Sequence, residues 1–593
     1  MGQVLKTYGK RYIKYLIFAF ILQLFSAIGS LSLPSINADI IDKGVVVGDL
    51  DFVIKDSAIM LTISAIQVFC SIGAVYFGSK FAFLITKDLR NDFYEKIWTL
   101  NLSQYDKFGP STLITRCTND MTQVQNVIFF LITLASTAPF MFICGLFLAL
   151  RQDVPLSMII LIMIPVIGLV LGFIGVFIMK YFQLFQKKLD QINQILEEQI
   201  IGVRVVRAFV KEDQEKEKFA VVNNEIYDLN IVIGRTMTIL FPIFMLIVNM
   251  AILAIMYFGG MRVDNGQMEI GSITAFINYA MYILMSILFV AMIFIMVPRA
   301  NVSAKRINDV LNMKDKEVIE KTSKKDVAPK KVTVKFDDVT FRYSKKSNNV
   351  LENISFELKP GTTTAVIGST GSGKSSIVNV LTGLYKTNDG QILIGDSSKK
   401  SDMKPISEFS KQHISQLIAC VPQKVVLFEG TIESNLKFAN KNATKKQMDQ
   451  ALEVATAKHF LEERAEKDEI DLYDVAVAQG GNNFSGGQKQ RLSIARAILK
   501  DTPVIVFDDS LSALDYKTDK TVRTNLTKVA KDKAVLIIAQ RVSTVMNADQ
   551  ILVIDDGKIV GIGKHKELLK SNNVYSEIVS SQLKAEEVGI TNA

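Results

Sequence analysis

Two patterns divide the chain. Up to about residue 300, apolar residues run almost unbroken for long stretches; beyond that point short apolar runs alternate with charged segments. A membrane-spanning helix needs roughly 20 predominantly apolar residues. Six stretches satisfy this, at about 13–36, 56–84, 126–150, 154–180, 236–260 and 271–298. Only Arg151-Gln152-Asp153 separates the third from the fourth, which predicts a tight turn. Asp88–Met121 and Tyr181–Arg235 carry charges at helical spacing with few turn signals, so those spans are expected to continue as helices well beyond the bilayer. After a Lys/Glu/Asp-rich linker, strand-like and helical runs alternate, as in an α/β domain. The predicted fold class is a multi-domain membrane protein: an all-α domain of six transmembrane helices, then an α/β domain. The expected boundaries are 1–313, a linker at 314–331, 332–583, and a frayed tail at 584–593.

Composition agrees with a segregated chain. Of 593 residues, 49% are hydrophobic and 21% charged, too many residues for one compact domain. Lys and Arg set the orientation. The N-terminus and the two long connections hold Lys6, Lys10, Arg11 and Lys14, then Lys87, Arg90, Lys96, Lys107 and Arg116, then Lys180, Lys187, Lys188, Arg204, Arg207 and Lys211. The other connections hold only Lys43, Lys55, Arg151 and Arg262, so both termini are expected in the cytoplasm. The net charge of +9 suits anionic lipid surfaces and nucleotides; no aromatic-basic RNA motif is present, and nucleic acid is not expected as a partner. Cys70, Cys117, Cys144 and Cys420 lack paired spacing and read as isolated thiols. The first apolar run lacks a small-x-small cleavage pattern and reads as a span rather than a signal.

Gly368-Ser369-Thr370-Gly371-Ser372-Gly373-Lys374-Ser375 fits G-x-x-x-x-G-K-[ST]. It follows the apolar strand Thr364–Ile367 and leads, through Ser376, into the helical pattern Ser376–Leu384. In such a loop the glycines let backbone N–H groups wrap phosphate oxygens at a helix N-terminus. The lysine reaches the β- and γ-phosphates of ATP, and the serine hydroxyl ligates Mg²⁺. The α/β domain is therefore expected to be a P-loop nucleotide-binding domain.

Phe484-Ser485-Gly486-Gly487-Gln488, followed by Lys489-Gln490-Arg491, resembles the signature motif of ATP-binding cassette (ABC) proteins. With six spans ahead of one cassette, nearly the whole chain resembles a half-transporter of the type I exporter fold, of the multidrug kind. The resemblance implies several roles. Tyr343, in Phe341-Arg342-Tyr343, would stack on adenine; Gln423, in Val421-Pro422-Gln423, would contact Mg²⁺ or water; Asp508 would hold the Mg²⁺ shell. Ser512-Ala513-Leu514-Asp515 would cross to the opposite cassette. Two cassettes would sandwich two ATPs, with Ser485, Gly486, Gly487 and Gln488 of each serving the pocket of the other.

The chain departs from that family twice. Asp509 stands where such cassettes carry the water-polarising glutamate, and Gln540 where they carry the histidine that senses the γ-phosphate. Both changes weaken the same chemistry, while the signature is intact. The resemblance therefore implies a subunit of a heterodimeric exporter whose own ATP pocket is catalytically impaired. Its partner would be a second, non-identical half-transporter that supplies the catalytic glutamate. Gly202–Phe209, preceded by Glu197 and Glu198, resembles the cytoplasmic loop that docks on the opposite cassette, and Phe108-Gly109-Pro110-Ser111 opens the first such loop. Met281, Met285, Met292 and Met296, with Phe289 between them, recur on one face of the sixth span, and Asn249 and Asn278 are polar positions within spans. The stripe suits either a cavity for lipophilic molecules or ordinary packing, and buried polar groups in spans tend to face protein. The expected function is ATP-driven export of lipophilic or amphipathic compounds across a bacterial plasma membrane. An ATP-gated or regulatory subunit, a lipid or peptide transporter, an importer of the same fold and a slow homodimer remain alternatives.

Overall fold

The computed structural model describes residues 1–134, 136–313, 329–344, 347–397 and 403–582. Most of the linker 314–331 and the tail 584–593 lie outside the described residues. The chain divides into two compact units. One comprises Met1–Thr99 and Pro110–Met313; the other comprises Leu100–Gly109 together with the chain from Lys314 onward.

The first unit holds six helical spans, as the apolar runs predict. Leu50–Thr99, Val154–Ile201 and Glu212–Asp264 have 50, 48 and 53 residues. At 1.5 Å per residue each is more than 70 Å long, over twice the ~30 Å hydrocarbon core. Pro34, Pro165, Pro242 and Pro298 lie inside helices without ending them, a tolerance found in membranes because neighbouring helices and Ser/Thr side chains satisfy the freed carbonyls. The third span is not one helix: Met121–Thr133 and Thr137–Gln152 are separate. Pro139 fits the first turn of the second piece, where its missing N–H costs nothing. Thr133 and Thr137 each bond the carbonyl four residues back, which bends helices. The turn after Gln152 is fixed by Asp153, whose carboxylate caps Leu156 N at 2.9 Å and receives Arg262 of the fifth span at 2.8 Å.

Small residues let the spans approach. A Cβ on Gly145 would meet Ile283 at 3.2 Å, one on Gly78 would meet Ile132 at 3.1 Å, and one on Gly259 would meet Ile273 at 3.1 Å. Outward faces are apolar and bare: Leu61, Leu169, Phe173 and Val176 are each more than 70% exposed, the surface a bilayer covers.

The second unit is built on two larger sheets, beside a two-stranded ladder of Gly430–Thr431 and Ala476–Val477. Strands Leu351–Leu358, Val332–Phe341, Asp389–Asp396 and Lys404–Pro405 lie in that order in an antiparallel sheet. The other sheet runs Lys558–Gly563, Gln550–Asp555, Thr363–Gly368, Ala534–Ile538, Val504–Asp508, Ile418–Val421. All but its first strand are parallel. Alternation along the central strands feeds two cores. Ile505 and Phe507 with Val535 and Ile537 pack on one face, and Val504 and Val506 with Ala534, Leu536 and Ile538 on the other. Burial on both faces is why these strands read as continuous apolar runs rather than alternating ones.

Candidate functional site

The phosphate loop leaves the C-terminal end of Thr363–Gly368 and opens the helix Lys374–Leu381. Sequence reading carried that helix to Leu384; it stops earlier because Gly383 turns left-handed, with φ +69°. Gly371 and Gly373 also sit at positive φ, +88° and +97°. A side chain at 373 would strike Val350 O at 2.6 Å, whereas the space above Gly371 is open. The Lys374 ammonium is buried and donates to Gly368 O at 2.9 Å and Ser369 O at 2.5 Å. Burial lowers its pKa, opposed by the charges of Asp509 and Asp508. A cation set in a glycine-rich loop at a helix N-terminus fits a polyphosphate.

Sheet register assembles the rest. Val421 lies opposite Phe507, and Asp508 lies opposite Ile538. The chain just past these three parallel strands brings Gln423, Asp509 and Gln540 to one point, the edge where α/β folds bind ligands. Ser375 donates to Asp508 Oδ1 at 2.9 Å. Burial raises the Asp508 carboxyl above the usual range, with the Ser375 bond opposing. This hydroxyl–carboxylate pair is a hard-oxygen set of the kind Mg²⁺ takes when phosphate oxygens complete its shell.

Asp509 is strained and occupied. Its φ is +47°, in the left-handed region, where Asp is among the better-tolerated residues. Its N–H donates to Ile538 O at 2.9 Å. A carboxylate only accepts, and Oδ2 takes the side-chain amides of both Gln540, at 3.0 Å, and Gln423, at 3.4 Å. Oδ1 is buried and accepts no hydrogen bond. Gln540 is itself held by Gln582, which donates to its carbonyl and accepts from Val542 N, both at 2.8 Å. Nothing in the sequence pointed to Gln582, which belongs to no motif.

Tyr343 is 41% exposed, and its hydroxyl is engaged with Ser376 at 2.9 Å and Asn379 at 3.1 Å. Tyr385, also missed from sequence, meets its ring edge-to-face at 5.1 Å and 89°. The Tyr385 hydroxyl donates to Asp106 at 2.5 Å, on the short helix Leu102–Phe108. Burial and the Asp106 carboxylate push that phenol's pKa upward.

The signature segment is not beside the phosphate loop's lysine pocket in any contact among the described residues. Ser485 caps the helix Gly486–Leu499, exchanging bonds with Gln488 at 3.3 and 2.9 Å. Gly486 is exposed with open space where a Cβ would lie; a Cβ on Gly487 would meet Ala513 O at 3.3 Å. Asp515 caps the helix Tyr516–Val529 through Thr518, which holds its carboxyl below the usual range. In the spans, Met281 packs in a cluster with Phe244, Val248 and Leu284. Met285, Asn249 and Asn278 are exposed on this chain, Met296 and Phe289 are half-buried, and the side chain of Met292 lies outside the described residues.

Comparison with known proteins matches this architecture. A family profile for the ABC transporter transmembrane region covers residues 16–288, and the ABC transporter profile covers 351–512. An uncharacterised ABC transporter ATP-binding protein of Mycobacterium tuberculosis is 36% identical over 589 residues, 99% of each chain. The uncharacterised ABC transporter ATP-binding protein YfiB of Bacillus subtilis is 32% identical over 564 residues, covering 95% of this chain and 96% of the relative. The structure of a bacterial Atm1-family ABC exporter with ATP bound superposes with a TM-score of 0.74 at 20% identity, over 96% of this chain and 98% of the other, a likeness of fold. The chain thus belongs to the ABC transporters, as a multi-pass membrane half-transporter of the exporter fold whose nucleotide-binding cassette is an ATP hydrolase coupled to transport.

Proposed function

We propose that the chain is the impaired half of a heterodimeric exporter of lipophilic or amphipathic compounds in a bacterial plasma membrane. The observation that carries this reading is the Asp509 carboxylate, engaged by the Gln423 and Gln540 amides. A general base must hold the attacking water in line, and a displacement of about 1 Å can cost ~10²-fold. Asp509 is one methylene shorter than glutamate, and Gln540 cannot take a proton.

In this reading Tyr343 stacks the base, residues Gly368–Ser376 cradle the phosphates of ATP, and Lys374 neutralises the outer ones. Ser375, Asp508 and the Gln423 side-chain carbonyl would hold Mg²⁺, whose charge would offset that of the phosphates. Ser485, Gly486, Gly487 and Gln488 close the partner's pocket, and the partner's glutamate drives turnover. Both termini face the cytoplasm, as the Lys/Arg distribution favours. The adjustable Met stripe of the sixth span and the exposed polar positions Asn249 and Asn278 suit an apolar cavity shared with the partner.

The test is to purify the chain alone and with a second half-transporter that carries the catalytic glutamate, and to follow uptake of a lipophilic dye into inside-out vesicles. Export by the pair, with ATP binding but little hydrolysis by the chain alone, is expected. Turnover of about 1–10 s⁻¹ by the chain alone would refute the impaired pocket, and ATP-independent dye distribution would refute transport.

A further inference from the structure

The strongest unassigned feature lies in the first unit. A cavity of about 590 Å³ opens along one stripe of the helix Leu50–Thr99, lined by Tyr76, Lys80, Phe83, Lys87 and Arg90, with Gln125 from the third span opposite. We propose that this cavity is a binding site for one anionic phospholipid.

Three observations carry it. The first is charge. Lys80, Lys87 and Arg90 face the cavity, and among the described residues no carboxylate forms an ion pair with any of them. The two acids closest in sequence to Lys87 and Arg90 are engaged elsewhere: Asp88 by Arg11 at 2.9 Å and Tyr12 at 2.8 Å, Asp92 by Tyr8 at 2.7 Å. Arg90 donates only to a backbone carbonyl, Cys117 O, at 3.4 Å. The second is depth. Residues 57–79 contain no charge, and at 1.5 Å each they span about 35 Å, close to the hydrocarbon core. Lys80 is the first charge after that run. The first helix marks the same level, since Lys14 ends its basic segment and Tyr15 begins its apolar one. The Lys80 ammonium lies 5.1 Å from the centre of the Tyr15 ring and 5.5 Å from that of Tyr76, so both helices place the membrane boundary here. The third is order along the stripe. Tyr76 and Phe83 alternate with Lys80 and Lys87, and both aromatic rings are more than half exposed. Acyl chain would lie on the rings and phosphate among the cations. Basic pockets between helices at a membrane surface bind anionic head groups, and cations poised over aromatic faces keep their charge available.

The proposal requires only that the helix crosses a membrane; it is independent of transport direction, substrate and the state of the ATP pocket. The test uses the full chain, delipidated in detergent, titrated with phosphatidylglycerol and followed by native mass spectrometry. One tightly held lipid is expected. The triple variant Lys80→Gln, Lys87→Gln, Arg90→Gln should weaken it roughly a hundredfold, at about fivefold per surface cation. The control Lys6→Gln, Lys10→Gln, Lys14→Gln removes the same charge beside the same boundary and should change it less than about threefold. A second readout guards against misfolding: phosphatidylglycerol should raise the melting temperature of the wild type but not of Lys87→Glu, an exposed position. Equal weakening in both triple variants, or phosphatidylcholine binding as tightly as phosphatidylglycerol, would overturn the proposal. Displacement of the lipid by equimolar glycerol phosphate would do so too, by assigning the site to a soluble anion.

Discussion

Replacing Asp509 by Asn separates two accounts of this cassette by more than a factor of ten. In the structure Oδ2 accepts from Gln540 at 3.0 Å and Gln423 at 3.4 Å. An asparagine carbonyl in the Oδ2 position can keep both, while its NH₂ falls at the buried Oδ1 position, which accepts no hydrogen bond among the described residues. Both bonds then run to a neutral rather than a charged acceptor, and Gln540 is exposed, so the local loss is about 1 kcal/mol. If Asp509 polarises no water, that disturbance should lower steady-state ATP hydrolysis by the assembled transporter less than about threefold. If Asp509 is a working general base, removing it should cost ~10²–10⁴-fold. The assay is phosphate release at saturating MgATP, with the corresponding Glu→Gln change in the partner as the comparison. A hundredfold loss from Asp509→Asn, equal to that from the partner's change, would refute the impaired-pocket reasoning. The converse variant sharpens the point. Asp509→Glu extends the carboxylate by about 1.5 Å but leaves Gln540 beside it, so a rise should require Gln540→His as well.

Three further outcomes are expected. Gly486→Asp should leave the isolated chain as stable as before, since the Cβ enters open space and an acid at a helix N-terminus is favourable; it should nonetheless abolish hydrolysis by the assembled transporter, while Lys374→Ala leaves more, and the reverse order in steady-state turnover would make this chain's own pocket the catalytic one. Burial raises the Asp508 carboxyl, so its protonated form adds stability below the ordinary carboxylate range that is lost as pH climbs to the raised value; Asp508→Asn should therefore raise the melting temperature of the nucleotide-free chain at neutral pH and remove its extra stabilisation by MgATP over ATP, and a lower melting temperature would contradict this. Tyr385→Phe keeps the ring against Tyr343 and removes the bond to Asp106; nucleotide affinity should move less than about threefold while stimulation of hydrolysis by transported compound falls, and unchanged stimulation would count against a coupling role.

The spans and the phosphate loop were legible because each depends on local pattern. Twenty apolar residues demand a bilayer or a core, and Gly373 before Lys374 fits a loop that a side chain at 373 would block. The site's convergence was not legible in the same way. Residues 423, 509 and 540 meet only because their strands pair at Val421–Phe507 and Asp508–Ile538, and register is a property of the sheet. The motif comparison named those positions, but not that the two amides share one oxygen. The left-handed backbone at Asp509 has no sequence signal either, since Asp occurs freely elsewhere. Tyr385 and Gln582 were invisible because a lone Tyr or Gln carries no spacing; their roles come from what tertiary folding sets beside them. The break in the third span was missed because an apolar run hides it, although Pro139 and the Thr133–Ser136–Thr137 cluster were the available signals.

The bond between Tyr385 and Asp106 has a thermodynamic consequence. Residues 100–109 cluster with the cassette yet are continuous in the chain with Leu50–Thr99 on one side and the third span on the other. A base stacked on Tyr343 would therefore be linked, through Tyr385 and Asp106, to a segment whose two ends are membrane helices. Linkage makes such an arrangement symmetric: if filling the pocket changes the free energy of that segment, moving the segment changes the affinity of the pocket by the same factor. A pocket that hydrolyses poorly would then still carry information in both directions. Its occupancy would report the state of the helices, and a transported molecule that displaces Leu50–Thr99 would be felt as a change in how long ATP stays bound.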